Sequence, residues 1–291
     1  MPITPNTAFV SYNKRPPVVL SFGALDPAGG GGIQADIETA ASLGCHCAPI
    51  VTALRTSGGP NSTATVAINS TIIIEQARSV LEDMAVAAIK VGFMGSVANT
   101  EALHSILRDY PHTPVVLHPE LSLWDPNNAD QSGLMDALAE LLLPQATVIS
   151  MGLTELREIA PEADTLDASA QAIINRGCDY LLIRGTHQSA QQQAGFQNSL
   201  YRPEGLFKNY QWEQAAPNCR SSASTLTSSI AAYLAHNSHP ISAIEQGQTY
   251  TWQTLVAARQ LGSGEAIPHR FFWADPNATL ASEPPAERGT H

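Results

Sequence analysis

Charge is scarce in this chain. Only 14% of its 291 residues are charged, and acidic side chains outnumber basic ones 26 to 15. The resulting formal charge of -11 opposes polyanions, which argues against a broad nucleic-acid surface and against docking on an anionic membrane. It leaves phosphate ligands open, because backbone N–H groups hold an anion locally without net positive charge. Cysteine is scarce too. The four present, Cys45, Cys47, Cys178 and Cys219, are too few to staple a chain of this length, so no disulfide framework is expected. No apolar run reaches the roughly 20 residues that a helix needs to cross a bilayer; the most apolar, such as the one around Leu141 to Leu143, break within a few residues. The opening MPITPNTAFVSYNKRPP has neither the charged start nor the apolar stretch of a secretory signal. A cytoplasmic home is the expectation, with no nucleic acid and no membrane as partner.

Apolar residues are plentiful, at 44%, enough to fold one large α/β domain or two smaller ones. From Val18 onward short apolar runs alternate with helical patterns. VVLSFG, CAPIVTAL, AIKVGFM, PVVLHP, ATVISM and DYLLIRGT are continuous apolar runs of the kind that suits strands covered on both faces. Between them IQADIETAASLG, TIIIEQARSVLEDM, NTEALHSILRDY (capped by Asn99 or Thr100), GLMDALAELLLP, LTELREIA and DASAQAIINRG have apolar residues at helical spacing. The segment 188–214 predicts a hairpin or flap, and STLTSSIAAYLAHN and the stretch around TYTWQTLVAARQLG predict helices. Such alternation predicts a mostly parallel sheet between two layers of helices. An N-terminal arm over 1–17, a domain over 18–274 and a fraying Pro-, Ala- and Glu-rich tail over 275–291 complete the expected organisation.

The sharpest local signal is FGALDPAGGGGIQAD, Phe22 to Asp36. Glycines 29 to 32 between a strand and a helix give freedom of backbone, close approach to a ligand and free N–H donors at the helix start. The dinucleotide fingerprint fails, because counting G-x-G-x-x-G from Gly29 lands on Gln34, and the P-loop fails for want of a following Lys-Ser or Lys-Thr. Taken alone, the motif also fits a tight turn needed only for packing, as the lesser of the two readings.

In its wider setting DPAGGGGIQAD resembles the D-P-S-G-G-A-G-I-Q-A-D segment of the hydroxymethylpyrimidine and phosphomethylpyrimidine kinase family. Further matches follow in order: TAASLG (39–44) with T-x-x-A-L-G, VTAL (51–54) with I-T-A-L, IKVGFM (89–94) with I-K-I-G-M, RGTH (184–187) with K-G-G-H, and TLTSSIAAYLA (225–235) with T-L-S-A-A-L-A-A. The resemblance spans Val18 to Phe271. It implies a ribokinase-like three-layer α/β/α sandwich, together with ATP and Mg2+ as cofactors, a pyrimidine or pyridine alcohol as substrate, and a homodimer. Residue by residue it places Asp36 and Gly29, Gly30 and Gly31 at the acceptor, Glu155 at the metal and Arg184 near the nucleotide phosphates.

The same comparison exposes departures. The family's G-T-G-C, an anion hole ending in a cysteine base, falls on Ser221, Ser222, Ala223 and Ser224, and a serine has no readily ionised form near neutral pH. T-P-N-x-x-E has become Ser150 to Glu155, keeping only the Glu. D-x-V-M has become His118, Pro119, Glu120 and Leu121. The Gln that pairs with the pyrimidine edge falls on Ser57 and the Met that covers the ring on Phe93. Cys45, His46 and Cys47 lack a second ligand pair at zinc spacing, and His118 and His187 are expected to be ordinary polar histidines near the cleft. Two functions therefore stand side by side: an ATP- and magnesium-dependent kinase of a small primary alcohol, thiamine-pathway hydroxymethylpyrimidine first among them, with Ser222, Ala223 and Ser224 as its anion site and Ser224 in the base position; or a catalytically impaired homologue that binds or regulates.

Overall fold

In the first strand, β1 (Val18–Leu25), Val19 packs into one apolar cluster while Leu20 and Phe22 pack into another. Side chains alternate across a strand, so a run that is apolar at every position needs cover on both sides. The same division recurs in β5 (Val115–Leu117), with Val116 opposed to Val115 and Leu117, and in β7 (Tyr180–Arg184), with Leu182 opposed to Leu181 and Ile183. This is why the sequence shows solid apolar runs rather than alternation.

The computed structural model describes residues 15–56, 64–125, 127–186, 196–212, 219 and 221–275. Nearly all of the proposed arm and tail, and Ser57 and His187, lie outside them. With β2 (His46–Arg55), β3 (Thr65–Ala67), β4 (Val86–Val91), β6 (Val148–Gly152), β8 (Phe196–Arg202) and β9 (Gly205–Trp212), the strands form a nine-stranded sheet in the order β3-β2-β1-β4-β5-β6-β7-β8-β9. Pairing is parallel from β2 across to β7, and antiparallel for β3 at one edge and for β8 and β9 at the other. One face carries α1 (Gly32–Ser42), α7 (Ser222–Ala235) and α8 (Pro240–Val256). The other carries α2 (Ser70–Asp83), α3 (Val97–Asp109), α5 (Leu153–Ile159) and α6 (Leu166–Ile174). The expected three-layer sandwich with a mostly parallel sheet is what the chain adopts.

Details differ from the sequence reading. Helix α3 starts at Val97, because the Ser96 hydroxyl accepts the Asn99 N–H at 3.2 Å and caps it; Asn99 instead donates from its side chain to the carbonyls of Met94 and Thr52. Helix α8 begins at Pro240, well before TYTWQTL, and stops at Val256, leaving ARQLG outside it. GLMDALAELLLP begins as α4 (Leu134–Ala137) and continues through a π turn, Leu138–Leu142, and a 3-10 turn, Leu143–Gln145.

The strand order runs outward in opposite directions from β1 and β4. Connections leaving these two neighbours diverge, opening a crevice at their carboxyl ends, which is where open α/β sheets bind ligands. The glycine-rich turn follows β1 at this place.

Candidate active site at the sheet switch point

After Leu25 the chain must reverse before α1 begins, and Gly29 and Gly32 do so with φ of 69° and 55°, a region that favours glycine. Close packing adds a second constraint: a Cβ on Gly32 would lie 2.1 Å from the Ala24 carbonyl oxygen, and one on Gly31 2.2 Å from Ser221 Oγ. The Asp26 carboxylate accepts the N–H groups of Ala28 at 3.2 Å and Gly31 at 3.0 Å, so the turn already cradles an anion of its own. Arg55, at the end of β2, stands 3.8 Å from that carboxylate.

Asp36, on the first turns of α1, is 2% exposed. It accepts from Ser21 of β1 at 2.6 Å, from Lys90 of β4 at 2.9 Å and from Ser228 of α7. A carboxylate with an ammonium and two hydroxyls is well satisfied, whereas removal of one member of such a pair strands a buried charge. Asp36 thus ties two strands and two helices together beneath the turn. Arg270 does similar work behind it, donating to Gly30 O at 2.6 Å, Thr225 Oγ1 at 3.1 Å and Glu38 at 2.8 Å.

Opposite the turn, α7 opens from Ser221, a non-glycine residue with φ of 63° and no side-chain cap. Its first-turn N–H groups have no acceptor within the helix. Ser222 and Ala223 are partly buried there, while Ser224 is 1% exposed. Ser221 Oγ rests against Gly31, so turn and helix start touch.

Glu120 completes this corner. It follows β5 with φ of 52°, and its Oε2 is buried without a hydrogen-bond partner. Burial pushes its carboxyl up to about 7, with Lys90 pulling the other way. Glu120, Asp26, Arg55, Gly31, Gly32 and Ser221 line one cavity, which as it stands has room for about one water molecule.

A second group of side chains gathers at the ends of β5, β6 and β7. Glu155, in the first turn of α5, reaches back to the Gly152 N–H at 2.6 Å, and also accepts from Arg184 at 2.9 Å and from the Leu121 N–H at 3.3 Å. His118 lies 3.7 Å from the same carboxylate, but burial, reinforced by Arg184 and Lys90, pushes its pKa well below the usual value, so it is neutral. This bears on magnesium. Both oxygens of Glu155 are taken by protein donors and a guanidinium stands on its flank, an arrangement that does not fit a dication. Among the described residues no group of three or more His, Cys, Asp or Glu is placed to hold a metal.

The structure therefore brings the turn of Gly29, Gly30 and Gly31 against Ser221, just before the helix that carries Ser222, Ala223 and Ser224, and separately sets Glu155 beside Arg184. Phe93 is 1% exposed and packs with Ala24, Ala53, Leu123 and Leu134. Sequence reasoning did not single out Lys90, Arg55 or Arg270, and it named Glu120 only among the departures at D-x-V-M. A lysine inside the apolar run AIKVGFM was the available signal for Lys90, and a carboxylate at the motif's apolar position was the signal for Glu120.

Comparison with known proteins agrees with this geometry. The family described as phosphomethylpyrimidine kinase matches residues 26–269. A hydroxymethylpyrimidine/phosphomethylpyrimidine kinase of Rhizobium meliloti is 28% identical over 267 residues, covering 89% of this chain and 99% of the relative. One from Mycobacterium tuberculosis is 27% identical, covering 88% and 94%. Among solved structures, a Bacillus subtilis pyridoxal kinase in complex with ADP superposes with a TM-score of 0.75 at 22% identity, covering 88% of this chain and 98% of that one. A phosphomethylpyrimidine kinase from Clostridium difficile does so with 0.66 at 23%, covering 81% and 97%. At such identities the superpositions establish the ribokinase-like fold; the sequence match over most of the domain establishes that the chain belongs to the phosphomethylpyrimidine kinase family.

Proposed function

We propose that this protein transfers the γ-phosphoryl group of ATP to the primary hydroxyl of a hydroxymethylpyrimidine, or to the phosphate of its monophosphate, as the names of its relatives suggest. The observation that carries the reading is the meeting of the glycine-rich turn with the N-terminus of α7 across the switch point, marked by Ser221 Oγ against Gly31. Phosphoryl transfer asks for positioning and for charge stabilisation more than for covalent chemistry. Unpaired N–H groups and the positive end of a helix supply the second. In this reading the Gly29 to Gly31 turn holds the acceptor, Asp36 positions it, Ser222, Ala223 and Ser224 form the anion site, and Arg184 faces the nucleotide phosphates. Magnesium is proposed to arrive on those phosphates rather than on Glu155. The cavity has to widen, by withdrawal of Ser221 from Gly31, before either ligand enters. A cytoplasmic homodimer belongs to the same proposal and is tested by sedimentation of the purified chain.

A second reading, a homologue that binds but does not turn over, draws on Ser221 filling the turn and on the burial of Ser224. One experiment separates the two. ADP formation is followed with ATP, magnesium and a panel of hydroxymethylpyrimidine, its phosphate and pyridoxal-type alcohols. Acceptor-dependent ADP from the pyrimidines supports the kinase. Ligand-induced thermal stabilisation with no ADP supports the binding protein, and acceptor-dependent ADP from pyridine alcohols alone moves the substrate.

A further inference from the structure

We infer that Glu120 is the catalytic base of the transfer, a carboxylate that contacts the acceptor's primary hydroxyl and takes its proton in place of the cysteine that the family carries at the Ser224 position. The inference rests on the phosphoryl-transfer reading and goes beyond it, because the matching family motif, D-x-V-M, has an apolar valine where this chain has Glu120. Three features converge on the residue. It lines the cavity that also presents Gly31, Gly32 and Ser221, between the turn proposed to hold the acceptor and the helix start proposed to hold the phosphate. Its backbone is left-handed, with φ of 52°, an arrangement unfavourable to a non-glycine residue and found where function holds a side chain in place. Its Oε2 is buried with no hydrogen-bond partner, although a carboxylate oxygen so placed is costly to leave unmet.

That oxygen lies beside Gly92. A Cβ there would stand 3.6 Å from Glu120 Oε2 and 2.9 Å from Lys90 Nζ, so the carboxylate and the ammonium approach the same point just beyond β4. The charged groups facing Glu120 are Lys90 from β4 and Arg55 from β2, which favour its ionised form, and Asp36 from α1 and Glu155 from α5, which oppose it. Burial outweighs them and carries the carboxyl to about 7, near the value at which a general base works best at neutral pH. Ser224 has no comparable ionisation, is 1% exposed, and is not among the residues that line the cavity. In the step itself, the hydroxyl oxygen bonds to the γ-phosphorus as its proton passes to Glu120. The bond from that phosphorus to the bridging oxygen breaks, and its electron pair leaves on ADP.

Single-turnover rates with ATP, magnesium and hydroxymethylpyrimidine, whose primary hydroxyl is free, measured for wild type and Glu120→Gln across the neutral pH range, test the assignment. Wild type is expected to show a rate that rises through one ionisation near neutrality, and Glu120→Gln a rate lower by about 10²–10⁴-fold without that ionisation, with acceptor affinity little changed. A Glu120→Gln rate within about threefold of wild type overturns the role of Glu120 and leaves the kinase reading standing. A wild type that forms no phosphorylated product under any condition overturns the kinase reading, and this one with it. Should the variant not fold, the wild-type profile alone decides: an ionisation near neutrality supports the assignment, and a flat profile overturns it.

Discussion

At the scale of single residues, the site sorts its carboxylates by how fully they are met. Asp36 and Glu155 are each surrounded by donors, whereas Glu120 keeps a buried oxygen unpaired. The first two were legible in the sequence because they stand in recognisable motifs; Glu120 showed there only as a departure from one, because its importance comes from three segments meeting around it. Its raised pKa also has a consequence for stability. An unfolded chain releases the Glu120 proton near the ordinary 4.5, while the folded one holds it to about 7. Between those values the folded state binds more protons than the unfolded one, so the contribution present at acidic pH is lost as pH rises through 7. Glutamine has no proton to lose. Urea unfolding of wild type and Glu120→Gln is therefore expected to show the variant gaining on wild type between mildly acidic and mildly alkaline pH. The opposing loss from neutral His118, which appears as pH falls below about 6.5, is common to both proteins and cancels in the difference. A gap that does not change with pH would mean that Glu120 is ordinarily solvated.

At the scale of elements, the strands were legible because each is buried on both faces, and the turn because its glycines are needed both for φ and for contact. Less legible were the element ends. Pro240 after His239 is a proper helix start, with the His239 ring accepting the Ile241 N–H at 3.4 Å, yet no apolar periodicity announces it. Strand β3 is three residues long, too short for any pattern, and exists because its backbone pairs with the exposed edge of β2. The start of α7 is the element on which function turns. Ser221 holds a left-handed backbone, and replacement by glycine removes a strain of roughly 1–2 kcal/mol together with the hydroxyl seated against Gly31. Ser221→Gly is expected to unfold at higher denaturant concentration than wild type, by about 1 kcal/mol, and to bind ATP more tightly in a thermal-shift titration. Unchanged ATP binding in a stabilised variant would show that the contact between helix and turn is not what closes the cavity.

At the scale of the whole molecule, strand and helix alternation foretold the layered sheet, and the family resemblance supplied the expectation of where its ligands bind. The order of strands could not be read from alternation alone; it depends on which β-strand edges pair, and it is this order that puts the diverging connections, and so the crevice, between β1 and β4. Neither alternation nor resemblance revealed that the crevice is nearly closed, since that depends on one serine side chain meeting one glycine. The central claim is that this closed crevice opens to pass a phosphoryl group from ATP to a pyrimidine alcohol. The most direct test incubates the purified full chain with γ-labelled ATP, magnesium and hydroxymethylpyrimidine and separates the products. Label recovered on the pyrimidine as its monophosphate is the predicted result. Label that stays on ATP, in a protein that thermal shift shows to bind both ligands, would contradict the account.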